Sequence, residues 1–511
     1  MFSWVDLAER IPTVISPVKK LTFKEKGKWT LGILVLFFVL GSITVWGINP
    51  DAVSQFEFLE IVFGSRFGSL ITLGIGPIVT SSIILQLIVG SGIINWDQTT
   101  EEGKRRFSAA QKLLTLAFCV IEAIAYVVAG AVPAASPDIF TTFFVILQLT
   151  IGGIIIMYMD EVVSKWGFGS GVSLFIAAGV SKTIILRTFN PLSQAGGLPN
   201  LEMGEIPAGI IPGLIVSFIQ GSPAILSLLP LIAMIVVFIV TVYIMDVKVE
   251  IPMAFSMPFG KFAARRWPLK FLYTSNIPVI LASAVLANMN VLGRILYERG
   301  ISLLGTYDTQ GAVTGGLMYY LSAPSGEVGL IIVTVFASIF ALLFAFIAIR
   351  NLKKYAKRMS VIGAIVGLIL GYLLITIYNL PPVTMPIVIR SLTYMTIFII
   401  ASVIFSVFWT NTASMDAKSV AEQFRSYSIM IPGFRHDPRI IEKVLNRYIP
   451  VLTILGGAFV GFLATFADMT SAIGTGTGIL LTVMIVYQFY EQIMQQHGED
   501  IPPAIRKFLG E

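Results

Sequence analysis

The chain has little of what builds a soluble, disulfide-stapled or metal-centred protein. Its one cysteine, Cys119, excludes an internal disulfide, and its two histidines, His436 and His497, sit in no Cys/His cluster with metal-ligand spacing. Only 13% of the 511 residues are charged, about half the share of an average soluble domain. There is no phosphate-binding glycine loop ending in Gly-Lys-Ser/Thr and no catalytic-triad pattern, so this reads as no enzyme, with no cofactor and with energy supplied from outside. What is abundant is apolar: 56% of the chain is hydrophobic, which points to an integral membrane protein.

A bilayer core about 30 Å thick needs about 20 apolar residues in a helix. Segments 29–50, 139–159, 271–293, 328–349, 391–415, 448–467 and 469–490 contain no Asp, Glu, Lys or Arg, and each reads as one span. Less regular spans fall at 67–96, at 113–132 with Glu122 inside, at 169–189 with Lys182 and Arg187, and at 359–389, which ends at Pro381-Pro382. The proline-broken run 206–245 yields one span from 225, its earlier part being a short re-entrant or surface piece. The sum is about twelve spans.

With the N-terminus inside, 29 of the 35 Lys and Arg fall in inner loops. Only Arg66, Lys182, Arg187, Arg294, Arg299 and Arg390 fall outside, and this asymmetry predicts both termini in the cytoplasm. The first 28 residues lack a signal-peptide core, so they read as a retained cytoplasmic segment, with Trp4, Val5, Leu7, Ala8, Ile11 and Ile15 on one face of a surface helix. Inner loops 246–273 and 412–447 are long and basic. Surplus topogenic charge and a phosphate-binding surface, such as a ribosome's RNA, use the same residues.

Segment 68–92 carries glycines and hydroxyl residues in place of a lipid-facing surface, so it faces protein or a cavity. Before it, 56–66 is amphipathic and too short to span, which fits a re-entrant half-helix. Four motifs follow in order: Leu70-Ile-Thr-Leu-Gly-Ile-Gly-Pro-Ile-Val79, Trp166-Gly-Phe-Gly-Ser-Gly-Val-Ser-Leu-Phe-Ile176, Pro268-Leu-Lys-Phe-Leu-Tyr-Thr-Ser-Asn-Ile-Pro-Val-Ile280 and Gly474-Thr-Gly-Thr-Gly-Ile-Leu-Leu481. Gly433-Phe-Arg435 and Arg447-Tyr-Ile-Pro450 add a fifth. In these motifs the chain resembles the SecY family, the channel subunits of the Sec translocon, in its archaeal and eukaryotic branch. The resemblance covers most of the chain outside 326–388.

The resemblance implies an all-α polytopic membrane protein of the cell membrane. Its plan is a two-half, inverted-repeat helix bundle with a re-entrant plug half-helix and one extra helical hairpin. The implied units are a cytoplasmic segment 1–28, an N-terminal half 29–224 with plug 56–67 and gate helix 70–92, and a C-terminal half 225–325 resuming at 389–492. The inserted hairpin is 326–388 and a cytoplasmic tail is 493–511. An apolar pore ring would comprise Ile75, Val79, Val172, Ile176, Ile277, Ile280 and Leu481, with Leu480 a neighbouring candidate. Branched aliphatic groups make a constriction that resists ions by dewetting yet deforms around a polypeptide.

Phe56, Leu59, Ile61, Val62, Phe63, Gly64 and Ser65 would belong to the plug. Thr80, Glu122 and Asn288 would form a polar cluster in a lateral gate that opens to hydrophobic segments. Arg265, Arg266, Arg435 and Arg439 would dock a ribosome. Implied partners are a SecE-type subunit, a Secβ-type subunit, signal sequences and nascent chains, and the lipid bilayer. The competing reading is a secondary transporter, which also uses about twelve spans and broken helices. It needs clustered polar groups at the midplane, for which only Glu122, Lys182 and Asn288 are candidates. A purely structural scaffold would leave the half-helix and the glycine-rich helices without a purpose.

Overall fold

A computed structural model describes residues 11–497 apart from 49–64, 91–92, 95, 97–99, 129, 137, 194–196, 198, 201–204, 222–224, 257–261, 275, 309–312, 325–326, 352–355, 427–428 and 431–437. In chain order the helices are α1 (Phe23–Leu40), α2 (Gly76–Gly90), α3 (Glu101–Val128), α4 (Ile139–Trp166), α5 (Gly171–Phe189), α6 (Ile210–Ile219) and α7 (Leu229–Met245). They continue as α8 (Ile277–Glu298), α9 (Leu317–Leu321), α10 (Val328–Asn351), α11 (Ala356–Ile377), α12 (Met385–Thr412), α13 (Ala417–Ser426), α14 (Pro438–Met469) and α15 (Gly476–His497). Every expected span contains a helix, and among the described residues eight are long and apolar enough to cross a membrane. The proline-broken piece before α7 is the ten-residue α6, too short to span.

Four local expectations are corrected or lie outside the described residues. The surface helix falls largely on 1–10, and residues 11–15 are not helical. There Lys112 Nζ donates to Pro12 O (2.6 Å), Lys165 Nζ to Val14 O (2.5 Å) and Trp166 Nε1 to Ile15 O (2.8 Å). A helix would spend those carbonyls internally, whereas a strap between Pro12 and Pro17 leaves them free to accept.

The plug residues Phe56, Leu59, Ile61, Val62, Phe63 and Gly64 lie outside the described residues, and 65–67 are not helical. The gate helix expected from 70 begins at Gly76, because 66–75 is a run of tight turns: Ser69 N to Arg66 O, Thr72 N to Ser69 O, Gly74 N to Ile71 O and Gly76 N to Leu73 O. Ser69 and Thr72 hydroxyls donate to the same carbonyls, at 2.6 and 2.5 Å, and so compete with helical pairing.

The two basic loops, far apart in sequence, form one folded unit. Strand β1 (Lys248–Ser256) pairs antiparallel with β2 (Phe262–Lys270) and, on its other edge, with β5 (Ile429–Met430). Ile251 and Leu269 bury against Val420, Phe424, Leu445 and Ile449 in a core of their own, and Trp267 meets Phe424 edge to face at 4.8 Å. On the opposite side of the molecule β3 (Thr306–Tyr307) pairs with β4 (Val313–Gly315). Tyr307 donates to Asn290 O (3.1 Å), and burial pushes its hydroxyl up to about 12, so it stays a donor.

Helices α10 and α11 form a hairpin whose contact is set by glycines four apart. A Cβ at Gly363 would strike the Phe340 carbonyl, one at Gly367 the Phe336 carbonyl, and one at Gly371 the Val333 Cα at 3.0 Å. This small-residue spacing lets the two backbones touch. α10 then docks on α7 and α14, with Ile331 and Val335 against Ala233, Val237, Ala467 and Val483. Ile365, Leu368, Ile369 and Tyr372 of α11 stay exposed, a lipid-facing surface. Gly367→Leu is expected to splay the hairpin, costing about 1–3 kcal/mol and lowering the melting temperature in detergent. Exposed Leu368→Ala should leave it unchanged; equal melting of the two variants refutes this packing account.

Candidate functional site

The central core collects side chains from four separate elements. Ile75 and Val79 at the start of α2, Ile176 on α5, Ile280 on α8 and both Leu480 and Leu481 on α15 are buried in one apolar cluster, with Val172 and Ile277 packed against it half-buried. All seven expected ring residues, and the neighbouring Leu480, thus belong to or pack against this one large cluster. They arrive there by different routes. Ile75 ends the turn run that Leu70 N and Val45 N anchor to Ile43 O and Gly68 O (both 2.9 Å). Ile277 and Ile280 sit in the first turn of α8, where Pro278 is well placed because its missing N–H is not needed there.

Beside this cluster lies a polar relay across three helices. Asn288 Nδ2 of α8 donates to Thr80 Oγ1 of α2 (3.0 Å), and Thr80 Oγ1 donates to Glu122 Oε1 of α3 (2.7 Å). Thr80 is thus acceptor and donor at once, as only a hydroxyl can be at that size. Glu122 Oε2 and, one turn on, the Tyr126 hydroxyl are buried without a hydrogen-bond partner in the structure. The α2–α3 contact has a second polar rivet, Ser81 Oγ with Thr115 Oγ1 (2.7 Å). Neither Ser81 nor Thr115 stood out in the sequence, since a lone hydroxyl in a span is normally bonded to its own helix.

Ser65 is the one expected plug residue among those described, and its hydroxyl is buried without a partner. It borders a cavity of about 300 Å³ lined also by Phe37, Arg66, Ile71, Lys182 and Arg187; Arg66 Nη1 donates to Gly41 O (3.1 Å). Of the basic candidates, Arg265 lies in β2, Arg266 is exposed and pairs with Glu250 (3.0 Å), and Arg439 is exposed at the start of α14. Arg435 lies outside the described residues.

A sequence model of the SecY family matches residues 69–490. The chain belongs to the SecY family. It is 40% identical over 505 residues to the SecY protein translocase subunit of Methanocaldococcus jannaschii, covering 99% of both chains. Among solved structures it resembles a protein-conducting channel at 39% identity and a TM-score of 0.76, covering 99% of this chain and 100% of that one. It also resembles Sec61 of a canine ribosome-channel complex from the endoplasmic reticulum, at 40% identity and a TM-score of 0.74, with the same coverage. A SecY-family chain is a multi-pass membrane subunit, which accounts for the apolar helix faces turned outward along α4, such as Ile139, Phe140, Phe143 and Ile151.

Proposed function

We propose that this chain is the channel subunit of a protein translocase, passing unfolded secretory polypeptides across the membrane and releasing hydrophobic segments sideways into lipid. The observation that carries the reading is the convergence of aliphatic side chains from α2, α5, α8 and α15 on one core, with a breakable polar relay at its flank. Ile75, Val79, Val172, Ile176, Ile277, Ile280 and Leu481 act as the ring; dry when closed, it offers a passing chain no polar group to bind. Thr80, Glu122 and Asn288 hold the lateral gate until a hydrophobic segment displaces their contact. Segment 56–67 serves as the plug.

The two halves, 29–224 and 225–492, move against each other, and hairpin 326–388 is an addition to the C-terminal half. The sheet that unites the two basic loops supports their action as one docking surface for a ribosome, through Arg265, Arg266, Arg435 and Arg439. The excess of lysine and arginine on that side supports a cytoplasmic location for both termini in a cell membrane. A SecE-type and a Secβ-type subunit complete the channel, which is not an enzyme.

The test is a single cysteine at Val79 in a Cys119→Ala background with the small subunits co-expressed. A stalled, ribosome-bound secretory chain carrying one cysteine is expected to form a disulfide there and not at lipid-facing Phe143. If the chain is engaged yet Val79 never crosslinks at any chain length, the pore assignment is wrong and a solute-uptake screen for transport becomes the next experiment.

A further inference from the structure

Two carboxylates, Asp160 and Asp468, sit at equivalent helix junctions. Asp160, near the end of α4, accepts the Val172 N–H at Oδ1 (2.8 Å). Asp468, near the end of α14, accepts the Thr477 N–H at Oδ1 (2.8 Å) and the Thr477 hydroxyl at Oδ2 (2.5 Å). Each carboxylate therefore reaches from one helix to the first turn of the next, where unpaired amides and the helix dipole favour an anion. Asp468 Oδ2 also takes the Tyr394 hydroxyl (2.9 Å), joining α12 to the same point.

The register is the same in both places. Ile176 lies four residues after the capped Val172, and Leu481 lies four residues after the capped Thr477. Four residues is one helical turn, so each ring candidate stands directly above the capped amide. At both sites the residue just before the capped one is a glycine under steric pressure: a Cβ at Gly171 would meet Asp160 Cα, and one at Gly476 would meet the Ala467 carbonyl carbon. Six helices long and apolar enough to span, α5, α7, α8, α11, α12 and α14, separate the two junctions among the described residues, and α10, the other arm of the hairpin, makes seven crossings when read as a span. The odd number puts them on opposite sides of the membrane, as an inverted repeat requires.

We propose that Asp160 and Asp468 are a matched pair of positioning residues, each fixing the first turn of a helix that carries ring side chains, so that the ring keeps its bore. The inference rests on the ring reading above and goes beyond it. It selects Leu481 over Leu480 as the counterpart of Ile176. One capped amide belongs to a ring residue itself, Val172, so loosening Asp160 moves the constriction without touching its apolar surface.

The experiment uses the full chain with its co-expressed small subunits, reconstituted in vesicles of defined phospholipid, and reads resting ion efflux together with melting temperature. Asp160→Ala and Asp468→Ala are each expected to raise the leak about tenfold. Asp160→Asn and Asp468→Asn should restore tightness, because the amide oxygen still accepts the backbone N–H. Ile176→Gly is the ring control and should leak as strongly. Alanine variants as tight as the parent beside a leaking Ile176→Gly overturn the positioning role while leaving the ring standing. Lower melting without a leak assigns the carboxylates to general stability and also overturns it. A tight Ile176→Gly overturns the ring reading, and the inference with it. If Asp468→Ala fails to accumulate, half-buried Asp160, with fewer partners, carries the test alone.

Discussion

Replacing Gly152 with leucine is expected to stop the chain from accumulating as a monodisperse complex. Gly152 lies at the middle of α4, where a Cβ would overlap the Leu70 carbonyl oxygen, and next to it a Cβ at Gly153 would press on Cys119 Sγ at 2.9 Å and Leu73 Cδ1 at 3.1 Å. The obstacle is backbone, and it has nowhere to retreat, since Leu70 N is bonded to Ile43 O. α4 must move out instead, opening space around Leu149, Ile156 and Leu73, all fully buried. Overpacking of this kind costs about 1–3 kcal/mol, and more where the neighbour is rigid.

Gly152→Ala should show the same defect in milder form, and Ile151→Ala, on the exposed face, none. Size-exclusion profiles after detergent extraction, with melting temperatures, decide it: a Gly152→Leu protein with parental yield and melting removes the close-contact argument. The effect reaches function because the segment that Gly152 accommodates ends in Ile75.

Thr80→Val should have the second largest effect, on gating and not on folding. Valine keeps the shape of threonine and removes the donor to Glu122 and the acceptor for Asn288 together. A hydrogen bond in this setting is worth about 0.5–1.5 kcal/mol, and interhelical ones in membranes average about 0.6. Of the two bonds only Asn288–Thr80 joins the halves, so its loss weakens closure by about 0.6–1.4 kcal/mol, which is about threefold to tenfold in the open population. Export of a reporter with a weakened signal sequence should therefore rise, with Thr80→Ser restoring selectivity because serine keeps the relay. Glu122→Gln, which still accepts from Thr80, should change export much less. If Thr80→Val discriminates against weak signals as well as the parent does, the relay is not what holds the gate.

The spans were readable because lipid imposes a local rule: about 20 residues without charge, whatever lies next to them. The family motifs likewise placed Thr80, Glu122 and Asn288 on a shared list, but nothing in a spacing of 42 residues or 208 residues says that one hydroxyl would link the other two. Helix ends were legible only to the edge of the bilayer. α3 starts at Glu101 and α14 at Pro438, well before their apolar windows, because outside lipid a charged turn can pair with a neighbouring helix as easily as end: Lys112 of α3 bonds Glu161 of α4 (2.8 Å), and α14 packs on α13. Asp160 and Asp468 were passed over for the opposite reason: a carboxylate beside a glycine-rich turn looks like an ordinary loop residue until the following helix folds back over it.

Composition and charge asymmetry by themselves determined that the molecule is a multi-pass membrane protein and which of its loops are basic, since each follows from transfer free energies summed along a local stretch. The tertiary structure alone decided where 70–75 turns instead of coiling, that two distant loops share one sheet, and which hydroxyl or carboxylate meets which amide. Those outcomes depend on partners supplied by remote segments, and the energy of a hydrogen bond or a close backbone contact exists only once both partners are in place.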